Sequence, residues 1–217
     1  MSFDSPSIIL GVPHPPSAGV TPYRSVVRVS RPVVEPVSLS LAKKQCRVDT
    51  EDDDEYISHL IAVARQHVED TLDITLLTTT WEARYDIFPT WEINLPRAPL
   101  QNAPITVSYR GGSGAMSTLT SAANEFQWDY RAIPGRIYPL WSTAWPGVRG
   151  DENSVVVQYK AGYGDDGGSC PPEAKHLIML LVAHWYDTRQ PVAPGAANPV
   201  PLTVETLMAS SGLGIYR

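Results

Sequence analysis

The glycine-rich segment Gly111–Ala115 is the first place where the residue types could do chemistry. It reads GGSGA, which approaches the GxSxG nucleophile elbow, in which a strained turn exposes a reactive serine. That motif requires glycine where this chain has Ala115. No Gly-Lys-Ser/Thr follows, so the segment does not match a phosphate-binding loop either. Its composition instead predicts the polar tip of a β-hairpin.

Carboxylates and histidines supply the other candidates for catalysis or metal binding. Asp165 and Asp166 lie in a glycine-rich loop and could bind a cation or act as an acid, but no second acid is placed to act with them. His184 and Asp187 lie one helical turn apart and could form an orienting pair, or His184 is a satisfied core or interface residue. The run Glu51–Glu55 lacks the glycine and the ligand spacing of a calcium loop. We therefore predict that the protein is not an enzyme and that it has no catalytic site, no metal site and no cofactor.

The composition limits the class of protein. The 217 residues are 43% hydrophobic and carry a net charge of −6, which suits one domain with extensions and excludes a strongly basic patch for gripping nucleic acid. An acidic protein can still surround DNA as a wall that does not bind it. Cys46 and Cys170 have no CxxC or metal-ligand spacing and are expected to be reduced thiols. The N-terminus shows no signal-peptide pattern.

The segment 171–190 is the helix around which the rest of the chain is expected to be built. Two prolines begin it, Glu173 lies in its first turn and Arg189 in its last. Leu177–Ala183 is a run of seven apolar residues, so we expect the helix to be buried against its own core and against a neighbouring subunit. It is too short to span a membrane. The candidate residues of the subunit interface are Leu177, Leu180, Leu181, His184 and Trp185.

Two more helices are predicted near the start of the domain. Ser38 or Ser40 caps a short helix over residues 38–46, and Asp49 or Thr50 caps a long helix over residues 51–72. One apolar stripe recurs every three or four residues along the long helix, at Ile57, Leu60, Ile61, Ala64, Val68 and Leu72. The opposite face, which we expect to be solvated, carries Glu55, His59, Arg65, Gln66 and Glu69.

Between residues 78 and 160 the hydrophobic pattern changes to a period of two, which predicts about six short strands. The expected fold class is α+β, with two long packed helices, an inserted antiparallel β-sheet or small sandwich, and extended N- and C-terminal arms. The core domain is expected to span residues 38–190.

Both ends of the chain are rich in proline. Residues 1–37 contain seven prolines and are predicted to be extended, with one short strand over Ser25–Val29 against a partner. This segment is either a disordered leader or an arm that orders on a neighbouring subunit. Residues 191–217 are predicted to be a proline-rich linker and a tail that docks onto another component. Its candidate docking residues are Leu202, Leu207, Met208, Leu213, Ile215, Tyr216 and Arg217.

Several motifs resemble the head-tail connector (adaptor) family of tailed bacteriophages. The family begins its domain with a segment like VEPVSLSLAKKQCRVD at residues 34–49, followed by an acidic turn and a long helix. The most specific motifs are AGYG at residues 161–164 and VAHWY at residues 182–186. The resemblance spans residues 33–192.

The resemblance implies a structural protein of the virion neck that is assembled in the host cytoplasm. It implies a homo-oligomeric ring, a dodecamer, that binds the portal protein and presents a face for the tail or the next neck protein. Genomic DNA passes through the ring without specific binding, and no membrane is involved. The C-terminal tail is the implied portal-docking segment. The candidate residues of the acidic turn, which is expected either to face the channel or to be solvated, are Glu51, Asp52, Asp53, Asp54 and Glu55.

An alternative function is a wall-degrading or carbohydrate-binding phage neck protein. This hypothesis depends on the aromatic-rich sheet, whose tryptophans are Trp81, Trp91, Trp128, Trp141 and Trp145.

Overall fold

The structure, a computed structural model, describes residues 23–188 and confirms the α+β class. Helices and antiparallel sheets form two adjoining layers. The helices are α1 (Leu39–Cys46), α2 (Asp54–Leu72) and α3 (Pro172–Thr188). The strands are β1 (Ser25–Arg28), β2 (Thr79–Tyr85), β3 (Ile93–Leu95), β4 (Thr106–Arg110), β5 (Met116–Thr120), β6 (Phe126–Asp129), β7 (Gly135–Pro139) and β8 (Val155–Ala161).

The three helices pack together around one hydrophobic core. The apolar stripe predicted for α2 is buried, and it meets the buried side of α3 with α1 packed against both helices. Ser38 caps α1 as predicted, because its Oγ accepts a hydrogen bond from the backbone N–H of Leu41 at 3.3 Å. The prediction of Asp49 or Thr50 as the cap of α2 is wrong. Asp53 holds that position, because the preceding residues form a turn.

The strands form two sheets that share a second hydrophobic core. The larger sheet has the order β1-β2-β8-β4-β5 and the smaller has the order β3-β7-β6. Alternate residues of β2 and β8 point into the core between the sheets, which is the period of two that the sequence shows.

The described residues form eight strands rather than about six, and the strand β1 accounts for part of the difference. We expected residues 25–29 to pair with a partner, but β1 lies antiparallel to β2 of the same chain, with Ser25 opposite Arg84 and Arg28 opposite Trp81. The 1–37 segment therefore supplies an edge strand to the sheet. Residues 1–22 of that segment lie outside the described part of the chain.

The prediction that the outer face of α2 is solvated is wrong at two residues. Arg65 and Glu69 are only 7% and 1% exposed, and Arg65 Nη1 donates a hydrogen bond to Glu69 Oε2 at 2.9 Å. Arg65 also donates to Glu35 at 2.7 Å. Burial alone would lower the pKa of the Arg65 guanidinium, but the hydrogen bonds and charges of the two glutamates outweigh burial, so this pKa lies above its ordinary value.

Glu69 connects the helical layer to the larger sheet. Its Oε2 atom accepts a hydrogen bond from Arg28 of β1 at 3.0 Å, and its Oε1 atom accepts the backbone N–H of Leu76 at 2.9 Å. Arg97 donates to the backbone carbonyl of Glu69 at 3.2 Å. The guanidinium groups of Arg28 and Arg97 lie 4.9 and 5.1 Å from the ring centroid of Trp81, where cation–π attraction stabilises them. One buried carboxylate thus has partners from three segments of the chain.

We predict that Glu69→Gln lowers the free energy of unfolding by about 3 kcal/mol, because it leaves buried guanidinium groups without their charged partner. Asp70→Asn is the matched control. Asp70 neighbours Glu69 on α2, is half exposed and pairs with Arg97 at the surface, so its loss should cost less than about 1 kcal/mol. Urea unfolding of the two variants measures the difference. Equal stabilities would contradict the role assigned to Glu69.

Candidate functional site

The segment Gly111–Ala115 is the tip of the β4–β5 hairpin, as predicted. The backbone N–H of Gly111 donates to the carbonyl of Ala115 at 3.0 Å, and that of Gly114 donates to the carbonyl of Gly111 at 2.8 Å. Gly114 has a φ of 84°, which glycine adopts without strain. Each of these features belongs to a tight turn, so the resemblance to a nucleophile elbow is explained by hairpin geometry.

The loop that carries Asp165 and Asp166 has a structural role at Asp166. Its Oδ1 atom accepts hydrogen bonds from the backbone N–H and the hydroxyl of Ser169, at 2.9 and 3.1 Å. The bond from the backbone of Ser169 is the main cause of a lowered pKa at Asp166. A lowered pKa suits a carboxylate that caps a turn and opposes a role as a general acid.

The AGYG motif is also explained by packing. Gly162 has a φ of 130°, and a Cβ atom there would lie 2.6 Å from the backbone carbon of Leu77. The N–H of Gly162 donates to Pro99 at 2.9 Å, and the carbonyl of Gly164 accepts from Thr78 at 2.8 Å. The motif therefore joins the end of β8 to the segments before β2 and β4, which requires glycine at position 162.

Burial and hydrogen bonding account for the shifted pKa values of thiols and carboxylates within residues 23–188. Burial raises the pKa values of the Cys46 and Cys170 thiols, which opposes thiolate formation. Hydrogen bonds lower the pKa values of the carboxylates of Asp86, Asp129 and Asp151, as they do at Asp166. Within residues 23–188 no cluster of three or more His, Cys, Asp or Glu side chains could hold a metal ion. No helix in that range has the length and hydrophobicity to cross a membrane.

The candidate interface residues of α3 divide into two groups. Leu177 and Leu181 are 1% and 0% exposed because they face α2 in the core of their own subunit, so they are not available to a neighbour. Leu180, His184 and Trp185 are half-buried, and Leu180 and Trp185 pack against the border of that core. The interface of α3 stays a prediction, with Leu177 and Leu181 inside the core of their own subunit and the other three residues more accessible.

The acidic turn between α1 and α2 also divides into two groups. Glu51, Asp52 and Glu55 are exposed, as expected. Asp53 instead accepts a hydrogen bond from the hydroxyl of Tyr186 on α3 at 2.5 Å, and Asp54 pairs with Lys43 of α1 at the same distance. Two acids thus bind the turn to its neighbouring helices, and three present negative charge to the surroundings.

The five tryptophans do not line one sugar-binding face. The indole N–H of Trp81 is buried and donates to Thr75 at 3.0 Å, and Trp145 stacks on Phe88 with ring centroids 4.9 Å apart. Trp128 packs against the second core. Only Trp91 and Trp141 of the five are largely exposed, at 59% and 90%. Three of the five side chains are therefore occupied in packing.

The predicted docking residues of the C-terminal tail lie outside the described part of the chain. They are Leu202, Leu207, Met208, Leu213, Ile215, Tyr216 and Arg217. Their role in docking stays a prediction.

Two features of the described surfaces were not predicted from the sequence. The uncharged outer edge of β5 depends on which strand ends the sheet, and no local pattern gives the strand order. The division of α3 follows from the direction in which each side chain points, and a helical wheel that separates Leu177 and Leu181 from Leu180 could have indicated it.

Sequence and structure comparisons identify similar proteins. Residues 36–102 match the family model of the phage gp6-like head-tail connector protein. No curated protein matches the chain significantly. The fold is similar to a chain in the neck of the empty GTA particle computed with C6 symmetry, with a TM-score of 0.70, 16% identity and coverage of 89% of this chain and 96% of that chain.

Two other solved particles contain a chain of the same fold. One is the virion of the native gene transfer agent (GTA) particle, with a TM-score of 0.70, 16% identity and coverage of 88% and 96% of the two chains. The other is the neck of the native GTA particle computed with C12 symmetry, with a TM-score of 0.64, 18% identity and coverage of 89% and 96%. The resemblance to the head-tail connector family that the motifs indicated is therefore confirmed in sequence over residues 36–102, and the fold of the chain is that of a protein in the neck of a gene transfer agent particle.

Proposed function

We propose that this protein is a structural head-to-tail connector of a tailed phage or a phage-like particle. It forms a ring under the portal, extends the DNA channel, and provides the attachment face for the tail or the next neck protein. The observation that carries the proposal is the connector-family match over residues 36–102. Those residues include α1, the acidic turn, α2, the strand β2 of the larger sheet and the strand β3 of the smaller sheet.

The fold and the exposed surfaces support this proposal. The neck chain of similar fold is covered over 96% of its length, so the likeness includes the whole architecture. Asp166 caps a turn, Asp53 and Asp54 join helices, and Glu69 joins the helices to the larger sheet. What the described chain offers to a partner is a set of surfaces, namely the outer side of α3, the acidic turn and the sheet edges. This arrangement suits a protein that acts by assembly.

The subunit interface of the proposed ring includes the outer side of α3. Its centre is apolar, with Met179, Leu180 and Ala183 half-buried, and His176 and Asp187 are exposed towards the two ends. An apolar centre with a polar rim is the usual composition of a protein interface. When a neighbouring subunit covers this apolar centre, α3 is buried on both sides, as its apolar run predicts.

One observation still favours the carbohydrate-binding alternative. Trp91 precedes β3 and Trp141 follows β7, and these strands pair with Ile93 opposite Ile137, so the two exposed side chains belong to the same end of the smaller sheet. A zymogram and a glycan-binding assay discriminate between the functions. Binding or lysis that is lost in Trp141→Ala supports the alternative, and inactivity in both assays supports the connector.

The proposed function is tested by measuring the mass of the purified protein alone and after mixing with purified portal. We expect a ring-sized species in at least the mixture, and electron microscopy should show it coaxial with the portal. A protein that stays monomeric and never joins the portal contradicts the proposal.

We predict that Leu180→Asp prevents ring assembly, because it places a charge in an apolar contact between subunits. Leu180 also packs on its own core, so the variant should lose about 1–2 kcal/mol of stability and remain folded. Val63→Asp is the matched control, since it adds the same charge at an exposed apolar residue of α2. Mass photometry measures assembly, and thermal melting measures folding. Normal rings from Leu180→Asp would contradict the interface.

We also predict that lysine at Glu51, Asp52 and Glu55 makes the assembled ring bind DNA non-specifically and slows DNA release from particles. An acidic channel wall repels the phosphate backbone, whereas a basic one attracts it in a salt-dependent way. The matched control replaces the same residues with Gln, Asn and Gln, which separates lost repulsion from gained attraction. Asp53 and Asp54 stay unchanged because they hold the turn. Acids buried against another subunit in the ring would contradict the channel position.

We predict finally that deletion of residues 199–217 leaves a folded domain with normal melting behaviour that no longer joins portal-bearing heads. The deleted segment contains the apolar docking candidates, and a ring presents many copies of it at once, which strengthens a weak contact. Serine at Leu207 and Ile215 in the full-length chain tests the apolar contact without a change of length. A truncated protein that still decorates heads contradicts docking, and one that unfolds shows that the tail belongs to its own subunit.

A further inference from the structure

The strand β5 ends the larger sheet on the side opposite β1. Its inner side pairs with β4, and its outer side is an edge within the described part of the chain. Met116, Ser117 and Thr118 are exposed there. An edge strand presents backbone donors and acceptors that can pair with another strand.

The hydrogen-bond pattern shows which backbone groups of β5 point outward. The N–H of Thr120 donates to the side chain of Glu125 at 2.7 Å and its carbonyl accepts from the N–H of Glu125, so both backbone groups of Thr120 point away from β4. In a strand the direction alternates, so Thr118 and Met116 point their groups the same way. The backbone hydrogen bond from Gly111 to Ala115 agrees with this alternation, because it shows that Ala115 faces β4. The residues of β5 that alternate with Met116 and Thr118 therefore also face β4. Within residues 23–188, no backbone hydrogen bond reaches the outward groups of Met116 and Thr118.

The part of the β5 edge at Met116 and Thr118 lacks the usual protection against pairing. Natural edge strands are blocked by charges, proline or bulges. The sequence of β5 is MSTLT, with no charge and no proline, and its register with β4 is regular over all five residues. The capping by Glu125 ends at Thr120, which leaves the outward groups of two residues available. This edge is therefore suited to accept an added strand.

A segment outside the described residues, in the chain that precedes β1, has the chemistry of such a strand. Residues 7–12 read SIILGV, an apolar and β-branched run between Pro6 and Pro13. The two prolines limit its length, since proline cannot donate a ladder hydrogen bond. The ten residues from 13 to 22 separate it from the described chain and can span about 33 Å.

The occupant that these observations favour is the segment 7–12 of a second copy. In a ring, each subunit uses one side to contact the opposite side of the next. β1 and β5 are opposite edges of one sheet, so the chain that precedes β1 lies next to β5 of the neighbour in such a contact. To reach β5 of its own subunit, the proline-rich connection would have to pass from one edge of the five-stranded sheet to the other.

We propose that β5 accepts residues 7–12 of a neighbouring copy as an added antiparallel or parallel strand, which links the subunits of the ring. The ring itself rests on the proposed function. The added strand makes main-chain hydrogen bonds to Met116 and Thr118, and the exposed side chain of Met116 gives it apolar contact.

The first test is Thr118→Pro in the full-length protein. Proline removes the outward N–H and blocks the edge, but it leaves the β4–β5 hydrogen bonds intact, since the N–H of Thr118 does not take part in them. Thr118→Val keeps the N–H and is the matched control. We expect Thr118→Pro to raise the concentration required for assembly about tenfold, with a similar effect from Ile9→Pro and none from Ile9→Val. Thermal melting of each variant confirms that it is folded.

The second test identifies the occupant by disulfide formation. Cysteine replaces Thr118 in one protein and Ile8, Ile9 or Leu10 in another, and the two proteins are mixed and oxidised. A disulfide between different chains supports the proposal. A disulfide that forms only when both cysteines are in the same chain shows that the segment folds onto its own subunit and overturns it. Each single variant alone controls for the native thiols, of which Cys170 is buried and Cys46 is half-buried.

The outcomes separate this inference from the proposed function. If the Thr118→Pro and Ile9→Pro proteins form normal rings on the portal and no disulfide forms between chains, the added strand is contradicted, but the proposed connector function is not. If the unsubstituted protein never forms a ring, the connector function is contradicted. The absence of interchain disulfides then contradicts the added strand as well.

Discussion

The buried carboxylate of Glu69 is the interaction on which the described fold depends most. A charge that is 1% exposed is costly to remove from water, and only a complete set of partners offsets that cost. Arg65, Arg28 and the backbone of Leu76 supply those partners. They come from α2, from β1 and from the connection to β2, so one side chain holds the helical core against the sheet. Arg97 adds a contact from the segment before β4.

This arrangement explains which residues pack inside the subunit and which residues are exposed. The two hydrophobic cores and the ion network between them form a body whose interior is fully used in packing. The polar residues that suggested chemistry cap turns, as Asp166 does, or join helices, as Asp53 does. Among the described residues, the outer side of α3, the exposed acids of the acidic turn and the edge of β5 lie outside these cores. The proposed connector function depends on these surfaces.

The sequence alone predicted the helices, the period of the strands and the connector resemblance. These features depend on local patterns, since an apolar residue every third or fourth position favours a helix wherever the helix packs. The stripe from Ile57 to Leu72 is therefore buried as expected, and the glycines at 111–114 form a hairpin tip. The family match over residues 36–102 agrees with the motifs at that end of the domain. For the candidate site, the same patterns predicted the apolar helix and the acidic turn, but not which side chains of each are exposed.

The tertiary structure decided which polar residues are buried and which apolar residues are available. Arg65 and Glu69 look like solvated helix positions, because the partner Arg28 is 41 residues away from Glu69 in the chain and no local pattern reports it. The strand β1 could be assigned to β2 only once the order of the sheet was known. Likewise, Leu177 and Leu180 have the same chemistry, and only the position of α2 places the first inside the core. Local spacing thus determined the helices and strands, and contacts between distant residues determined which side chains are exposed.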